Sequence, residues 1–368
     1  MSELLRNFAA AIKTARMNKR KILLIYTGGT IGMNRNPATG ALEPFDFRHL
    51  LEHVPELQQL DAVVDNGQLT TDDGQPLPPI DSSNMTPALW SNLAQCIASR
   101  YDDYDGFVVL HGTDTMAYTA SAMSFLLENL TKPVIFTGSQ LPIDQLRTDG
   151  KENIITAVEI AAAKDDDGHA MVPEVGIYFG GRLLRGNRTT KQSAEAFRAF
   201  ESFNYPCLVE AGVDITYHRE RILKPDFSKP MVPHYGLDNN VIIFSLFPGI
   251  REDLIQHIIH APTLKAIVMR TFGSGNAPQQ PWLLNALREG TEQGKVIVNI
   301  SQCVQGAVEM TRYDCGYYLQ QAGVISGRDS TVESAVTKLM FLLAKYPDDT
   351  AKVRELMSRS IRGEASEH

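Results

Sequence analysis

The sequence predicts an α/β protein of two domains, a larger N-terminal one built on a doubly wound, mostly parallel sheet and a smaller α/β domain after it. Three observations carry this. β-Branched apolar runs recur along the 368 residues, each emptying into a loop of Gly, Thr, Ser and Asn: KILLIYTGGT, GFVVLHGTDT, KPVIFTGSQ, NVIIFSLFPG, KAIVMRTFGSGNAP and KVIVNISQC. Runs that are apolar throughout, with no polar alternation, belong to strands covered on both faces. Amphipathic segments separate the runs, which makes parallel strand order with crossover helices the simplest connection. The pattern lapses between residues 215 and 240, where HRERILKPDFSKPMVPHYGLDNN is polar and Pro-containing, as a linker is. The expected division is therefore an N-terminal extension over 1–18, an N-terminal domain over 19–214, the linker over 215–240 and a C-terminal domain over 241–368.

Taken in order, the extension SELLRNFAAAIKTARMNKR has helical periodicity at Leu4, Leu5, Phe8, Ala11, Ile12 and Ala15, with basic residues opposite. It reads as a plain extension, with a docking helix as the alternative and Met17 as another possible start. The first strand ends at YTGGTIGM. Downstream, MTPALWSNLAQCIASR offers Thr86 as N-cap and Pro87 at the first helical position. AMSFLLENL is read as the core face of a helix. Near the C-terminus, Ser330 and Glu333 have capping-box spacing ahead of SAVTKLMFLLAKY.

Composition narrows the function. A chain 43% hydrophobic and 21% charged is globular and long enough for two domains, each with its own core. The net charge of −8 disfavours nucleic acid as a partner, because phosphate binding needs concentrated Lys and Arg. No run reaches the roughly 18 apolar residues of a membrane span, and the apolar stretch after Met17 is too short for a secretion signal. Cys96, Cys207, Cys303 and Cys315 lie far apart with no C-x-x-C, which points to free thiols in a reducing compartment, with neither disulfide nor metal. The expected location is the cytoplasm.

In an open parallel sheet, ligands lie beyond the carboxyl ends of the strands, so the polar loops are the site candidates. TGGTIG lacks the Lys of a P-loop and the first Gly of G-x-G-x-x-G, yet Gly28-Gly29 permits a tight turn with two exposed hydroxyls. The bare alternative is a strand-to-helix turn and nothing more. HGTDT places Thr113 and Asp114 at another strand end. A threonine hydroxyl needs a base, and a lysine anchored by the Asp would serve. RGNRTTK supplies Lys191, although spacing alone does not distinguish it from other lysines. His111 has no partner at ligand spacing and reads as a structural histidine. In PPIDSSNMTP, Asp81, Ser82 and Ser83 suit either a helix-start turn or the recognition of an ammonium and a carboxylate.

Together TGGTIGM, DSSNMTP, HGTDTMAYTASAMSFLLENL, VIFTGSQLP, RGNRTTK and FGSGNAP resemble the bacterial-type L-asparaginases, nearest the cytoplasmic type I branch, from about Lys19 to Gly363 and in the family's order. The resemblance implies a doubly wound N-terminal domain, a smaller flavodoxin-like C-terminal domain, and a homotetramer made as a dimer of dimers with active sites between subunits. It implies hydrolysis of L-asparagine to aspartate and ammonia with no cofactor. By motif, Thr30 is the implied nucleophile, and Thr113, Asp114 and Lys191 form a proton relay. Asp81, Ser82 and Ser83 hold the substrate's α-groups, and Ser139 contacts the leaving amide. Thr190, Arg270 and Cys303 fall where some type I members bind a second, regulatory asparagine. One departure stands out: the lid stretch NRNPATGALEPFDF has no tyrosine, with Gly40-Ala41-Leu42 near its usual place. Two rival readings are the glutaminase subunit of a tRNA-dependent amidotransferase, which expects a docking domain ahead of Lys19, and an amino acid sensor without turnover.

Overall fold

A computed structural model describes residues 19–35, 39, 42–44, 54–71, 74–311 and 314–367. The extension at 1–18 and the lid position at Gly40-Ala41 lie outside them. The large sheet contains β1 (Arg20–Tyr26), β2 (Ala62–Gln68), β3 (Gly106–Leu110), β4 (Val134–Thr137), β5 (Val175–Phe179), β6 (Arg182–Arg185), β7 (Val209–Ala211) and β8 (Ile215–Tyr217). Its order is β2-β1-β3-β4-β5-β6-β7-β8; the first five strands run parallel and the last three are added antiparallel. A second, wholly parallel sheet runs β9 (Val241–Ser245), β10 (Ala266–Thr271), β11 (Val296–Ser301) and β12 (Ile325–Ser326) in sequence order. The α/β expectation with a parallel-rich first sheet is met, and the antiparallel edge is an addition that the apolar runs did not announce.

Among the described residues the α-helices are α1 (Pro87–Ser99), α2 (Met116–Leu126), α3 (Gly150–Ala162), α4 (Glu252–Ile259), α5 (Pro281–Glu292), α6 (Asp314–Gln321), α7 (Val332–Lys345) and α8 (Thr350–Met357). Alternation along β1 explains why ILLIY, after the exposed Arg20 and Lys21, is apolar throughout. Leu23 and Ile25 join the layer that holds α1 and α2, while Ile22, Leu24 and Tyr26 join the layer of α3. With successive side chains on opposite faces and helices on both, no position is left for a polar residue.

Two cores were expected, one per domain; a single cluster spans both sheets. α2 is buried on every side, and its Met123 and Phe125 share a cluster with Val268 and Val298 of the second sheet and with Leu339 and Phe341 of α7. A helix apolar all round must be covered all round. The second sheet also keeps a cluster of its own around Ile267, Met269 and Leu287.

Two local expectations shift. The stretch read as a linker begins with β8, which pairs with β7 because Ile215 and Tyr217 pack on the α3 face. Thr86 does cap α1, accepting from Leu89 N at 3.4 Å, but α7 is capped by Thr331, whose Oγ1 accepts from Ser334 N at 3.1 Å. Glu333 is thereby released from the capping role and is buried. The C-terminal segment then returns to the first domain: Asn187 Nδ2 donates to Arg362 O at 2.9 Å, Arg185 to Gly363 O at 3.3 Å and Arg188 to Ser366 Oγ at 2.8 Å. A buried Lys338–Glu364 pair at 2.5 Å holds that segment down. This clamp fixes the turn after β6 that leads into Lys191. Among the described residues, no helix is long and apolar enough to cross a membrane.

Candidate active site

The site starts where β1 ends. Thr27 turns its N–H and its hydroxyl back to Leu110 O, both at 3.0 Å, while its own carbonyl accepts from Ile80 N at 3.0 Å. Gly28 and Gly29 follow at φ 130° and 94°. A Cβ on Gly28 would lie 2.0 Å from Ile80 O, and one on Gly29 2.5 Å from Gly112 Cα. Three loops, TGGTIG, PPIDSS and HGTDT, are thus pressed together backbone to backbone, which only residues without Cβ permit. Thr30 then opens a short 3₁₀ turn, Thr30–Gly32, half-buried, and its hydroxyl makes no hydrogen bond to any described residue. Tyr26 closes the turn from below by donating to Gly32 O at 3.2 Å, its phenol pushed up by burial.

Gly29→Ala is a test of this packing. The strained φ alone costs about 1–3 kcal/mol, and the clash with Gly112 adds to it. The expected result is a lower urea midpoint together with lost turnover; an unchanged midpoint would contradict the close approach.

The second loop presents the charged group. Lys191 Nζ donates to Thr113 Oγ1 at 2.9 Å and to Asp114 Oδ1 at 2.6 Å. Lys191 is mostly covered, whereas the Asp114 side chain is 66% exposed and open to a ligand. Lys191 arrives on a two-residue strand, Thr190–Lys191, paired with Phe200–Glu201 and fed by the clamped turn described above. From the third loop, Asp81 Oδ1 accepts from Ser83 N at 2.9 Å and Ser83 Oγ at 2.5 Å; the hydroxyl bond foremost, then the main-chain bond, holds this exposed carboxyl below its usual range. Ser82 is buried, its Oγ beside Gly112 and its carbonyl accepting from Thr115 Oγ1 at 2.7 Å. Thr115 is a fastening residue that the motif reading missed. Ser139 is buried too, donating to Leu141 O at 2.5 Å, so toward a ligand it offers lone pairs only. A Cβ at Gly150 would touch both Ser139 and Ile31, which puts Ser139 beside the Thr30 turn.

His111 has the structural role expected of it. Trp90 Nε1 donates to Thr119 Oγ1 at 2.9 Å, Thr119 donates to His111 Nε2 at 2.9 Å, and His111 Nδ1 donates to Gly112 O at 2.7 Å. That chain assigns the neutral tautomer, and complete burial lowers the imidazole to about 4. The folded state therefore refuses a proton that the unfolded chain takes up below about 6.5, so stability is complete above that pH and falls on acidification. Between pH 6.5 and 5 the loss from this residue is about 1.5 kcal/mol. Urea titrations at those two values check it, and His111→Gln should flatten the slope.

Thr190, Arg270 and Cys303 also converge, lining one cleft of ≈ 70 Å³ between the domains with Asn204, Gln302 and Glu333. Thr190 Oγ1 donates to Glu333 Oε1 at 2.6 Å, while Glu333 Oε2 and Arg270 Nε are buried without hydrogen-bond partners among the described residues. Burial raises the Glu333 carboxyl. The cleft is built for a polar group. Glu333 gave no sequence signal beyond a cap spacing that the fold used otherwise. A larger cavity, of ≈ 630 Å³, lies apart from the threonine loops, against the returning C-terminal segment.

Residues 21–223 match the family model Asparaginase, N-terminal, and residues 240–357 match Glutaminase/Asparaginase C-terminal domain. The chain is 43% identical over 356 residues to L-asparaginase 1 of Escherichia coli (strain K12), covering 95% of this chain and 98% of that one. It is 44% identical over 363 residues to the 60 kDa lysophospholipase of Homo sapiens, covering 94% of this chain but 61% of the longer human protein. Among solved structures, L-asparaginase I from Vibrio cholerae superposes with a TM-score of 0.84 at 39% identity, covering 95% of this chain and 99% of that one.

Proposed function

The chain belongs to the asparaginase family, and from that premise we propose that it hydrolyses the side-chain amide of L-asparagine, releasing L-aspartate and ammonia. The observation that carries the reading is the meeting of the loop of Thr30 with the loop of Thr113, Asp114 and Lys191 through the Gly29–Gly112 contact. Asp114, Asp81 and Ser83 take the substrate's ammonium and carboxylate. Thr30 Oγ attacks the amide carbon, its proton passes to the departing nitrogen, and the resulting ester is opened by water. Lys191, when neutral, takes the water's proton by way of Thr113. Main-chain donors of the glycine loops hold the oxyanion. The enzyme works in the cytoplasm as a homotetramer in which a neighbouring subunit covers the open side at Asp114.

Glutamine is the poorer substrate, since one extra methylene moves its carbonyl away from a fixed nucleophile; such a pocket is worth about 1–3 kcal/mol. The cleft of Thr190, Arg270 and Cys303 takes a second asparagine. What supports this is the chain itself: Thr190, bonded to Glu333, is the neighbour of Lys191, so a ligand that disturbs the first displaces the second. One experiment tests the whole reading, ammonia release from asparagine and glutamine across concentration. Asparagine should be preferred with a sigmoidal rate curve. Absence of turnover, with binding seen by calorimetry, would favour a sensor, and a strictly hyperbolic curve would remove the second site.

A further inference from the structure

The antiparallel edge of the large sheet carries a group of side chains that amide hydrolysis does not use. Cys207 stands just before β7, Glu210 lies on it, and His218 follows β8; His218 N donates to Leu208 O at 2.9 Å and closes the ladder. Cys207 Sγ is 3.1 Å from Glu210 Oε1, His218 Nε2 is 3.8 Å from the same oxygen, and all three donor atoms lie within 4.8 Å of one another. Tetrahedral zinc, with its sulfur ligand at about 2.3 Å and its nitrogen and oxygen ligands near 2.0–2.2 Å, sets such atoms roughly 3.4–3.6 Å apart. The two separations from Glu210 Oε1, 3.1 and 3.8 Å, bracket that value.

An independent feature points the same way. His218 Nε2 is buried and makes no hydrogen bond to any described residue, so the nitrogen aimed at the group has nothing among them to satisfy it. The other ring nitrogen, Nδ1, lies 3.9 Å from Glu220 Oε1, too far for a hydrogen bond. Arg221 stands nearby, but its charge is paired with Glu220 at 3.1 Å.

We propose that Cys207, Glu210 and His218 bind a zinc ion, with water at the fourth position. Sulfur, nitrogen and one carboxylate oxygen form a donor set of intermediate softness that suits zinc over calcium or magnesium. On binding, the Cys207 thiol releases its proton to solvent and the thiolate sulfur donates to the metal. The ion ties the two outer strands of the sheet together across the hairpin.

Cobalt titration of the full-length, chelator-treated protein is the test, because thiolate ligation to cobalt produces a near-ultraviolet charge-transfer band. One equivalent should develop the band, and zinc should erase it. Cys207→Ser should abolish it while ammonia release stays at the wild-type level, which reports an intact fold. A wild-type protein that develops no band in excess cobalt, or a band that survives Cys207→Ser, overturns the site.

Discussion

Thr30→Ala lowers kcat for asparagine by about 10³–10⁵-fold and leaves KM within a few-fold of wild type. Loss of a covalent nucleophile has effects of this order, and the remainder is direct attack by water in a site that still binds and polarises the amide. The structure separates this from loss of the fold. Thr30 is half-buried at the start of a one-turn 3₁₀ segment, its hydroxyl bonds to no described residue, and the turn is held by Thr27, Gly28 and Tyr26 instead. The urea midpoint should stay close to wild type. Thr30→Ser, which restores a hydroxyl, should recover part of the rate. Undiminished ammonia release by Thr30→Ala would end the nucleophile assignment and move it to Thr113.

Lys191→Met lowers kcat by about 10²–10⁴-fold, the range of a positioned proton-transfer group. Lys191 is the donor common to Thr113 and Asp114, so the methionine variant leaves the first without a proton acceptor and the second without its cation. Stability changes little, because the Asp114 carboxylate is largely in water, where such a pair contributes at most about 1 kcal/mol. Lys191→Arg keeps the charge but is not expected to rescue turnover, since a guanidinium does not give up its proton. Steady-state kinetics beside a denaturation curve decides the matter: equal losses in rate and stability would make Lys191 a structural residue.

The parts of the fold most legible in the sequence were those governed by local pattern. KILLIY and GFVVL become buried parallel strands because both faces of the sheet are covered, and Thr86-Pro87 starts a helix because a hydroxyl and a proline suit its first turn. Strands β6, β7 and β8 escaped notice for the converse reason. β7 and β8 are only partly buried, and β6, though mostly buried, is four residues with an arginine at each end, so none has the long apolar run of the interior strands. At the start of α7 the cap lies one residue on, at Thr331, and Glu333 is drawn into the cleft with Thr190.

The sequence by itself determined which residues could do chemistry: two threonine loops, glycines where backbones touch, and an acid-and-serine turn, each a matter of residue type within a few positions. Which lysine serves the second threonine was decided only by tertiary structure. Lys191 lies 78 residues from Thr113, and it reaches Thr113 because the turn after β6 is clamped by residues 362–366. The same holds for the grouping of Thr190, Arg270, Cys303 and Glu333 and for the donor set on the outer hairpin. Contacts between residues far apart in the chain depend on how strands are ordered and how segments return, and no local periodicity records that.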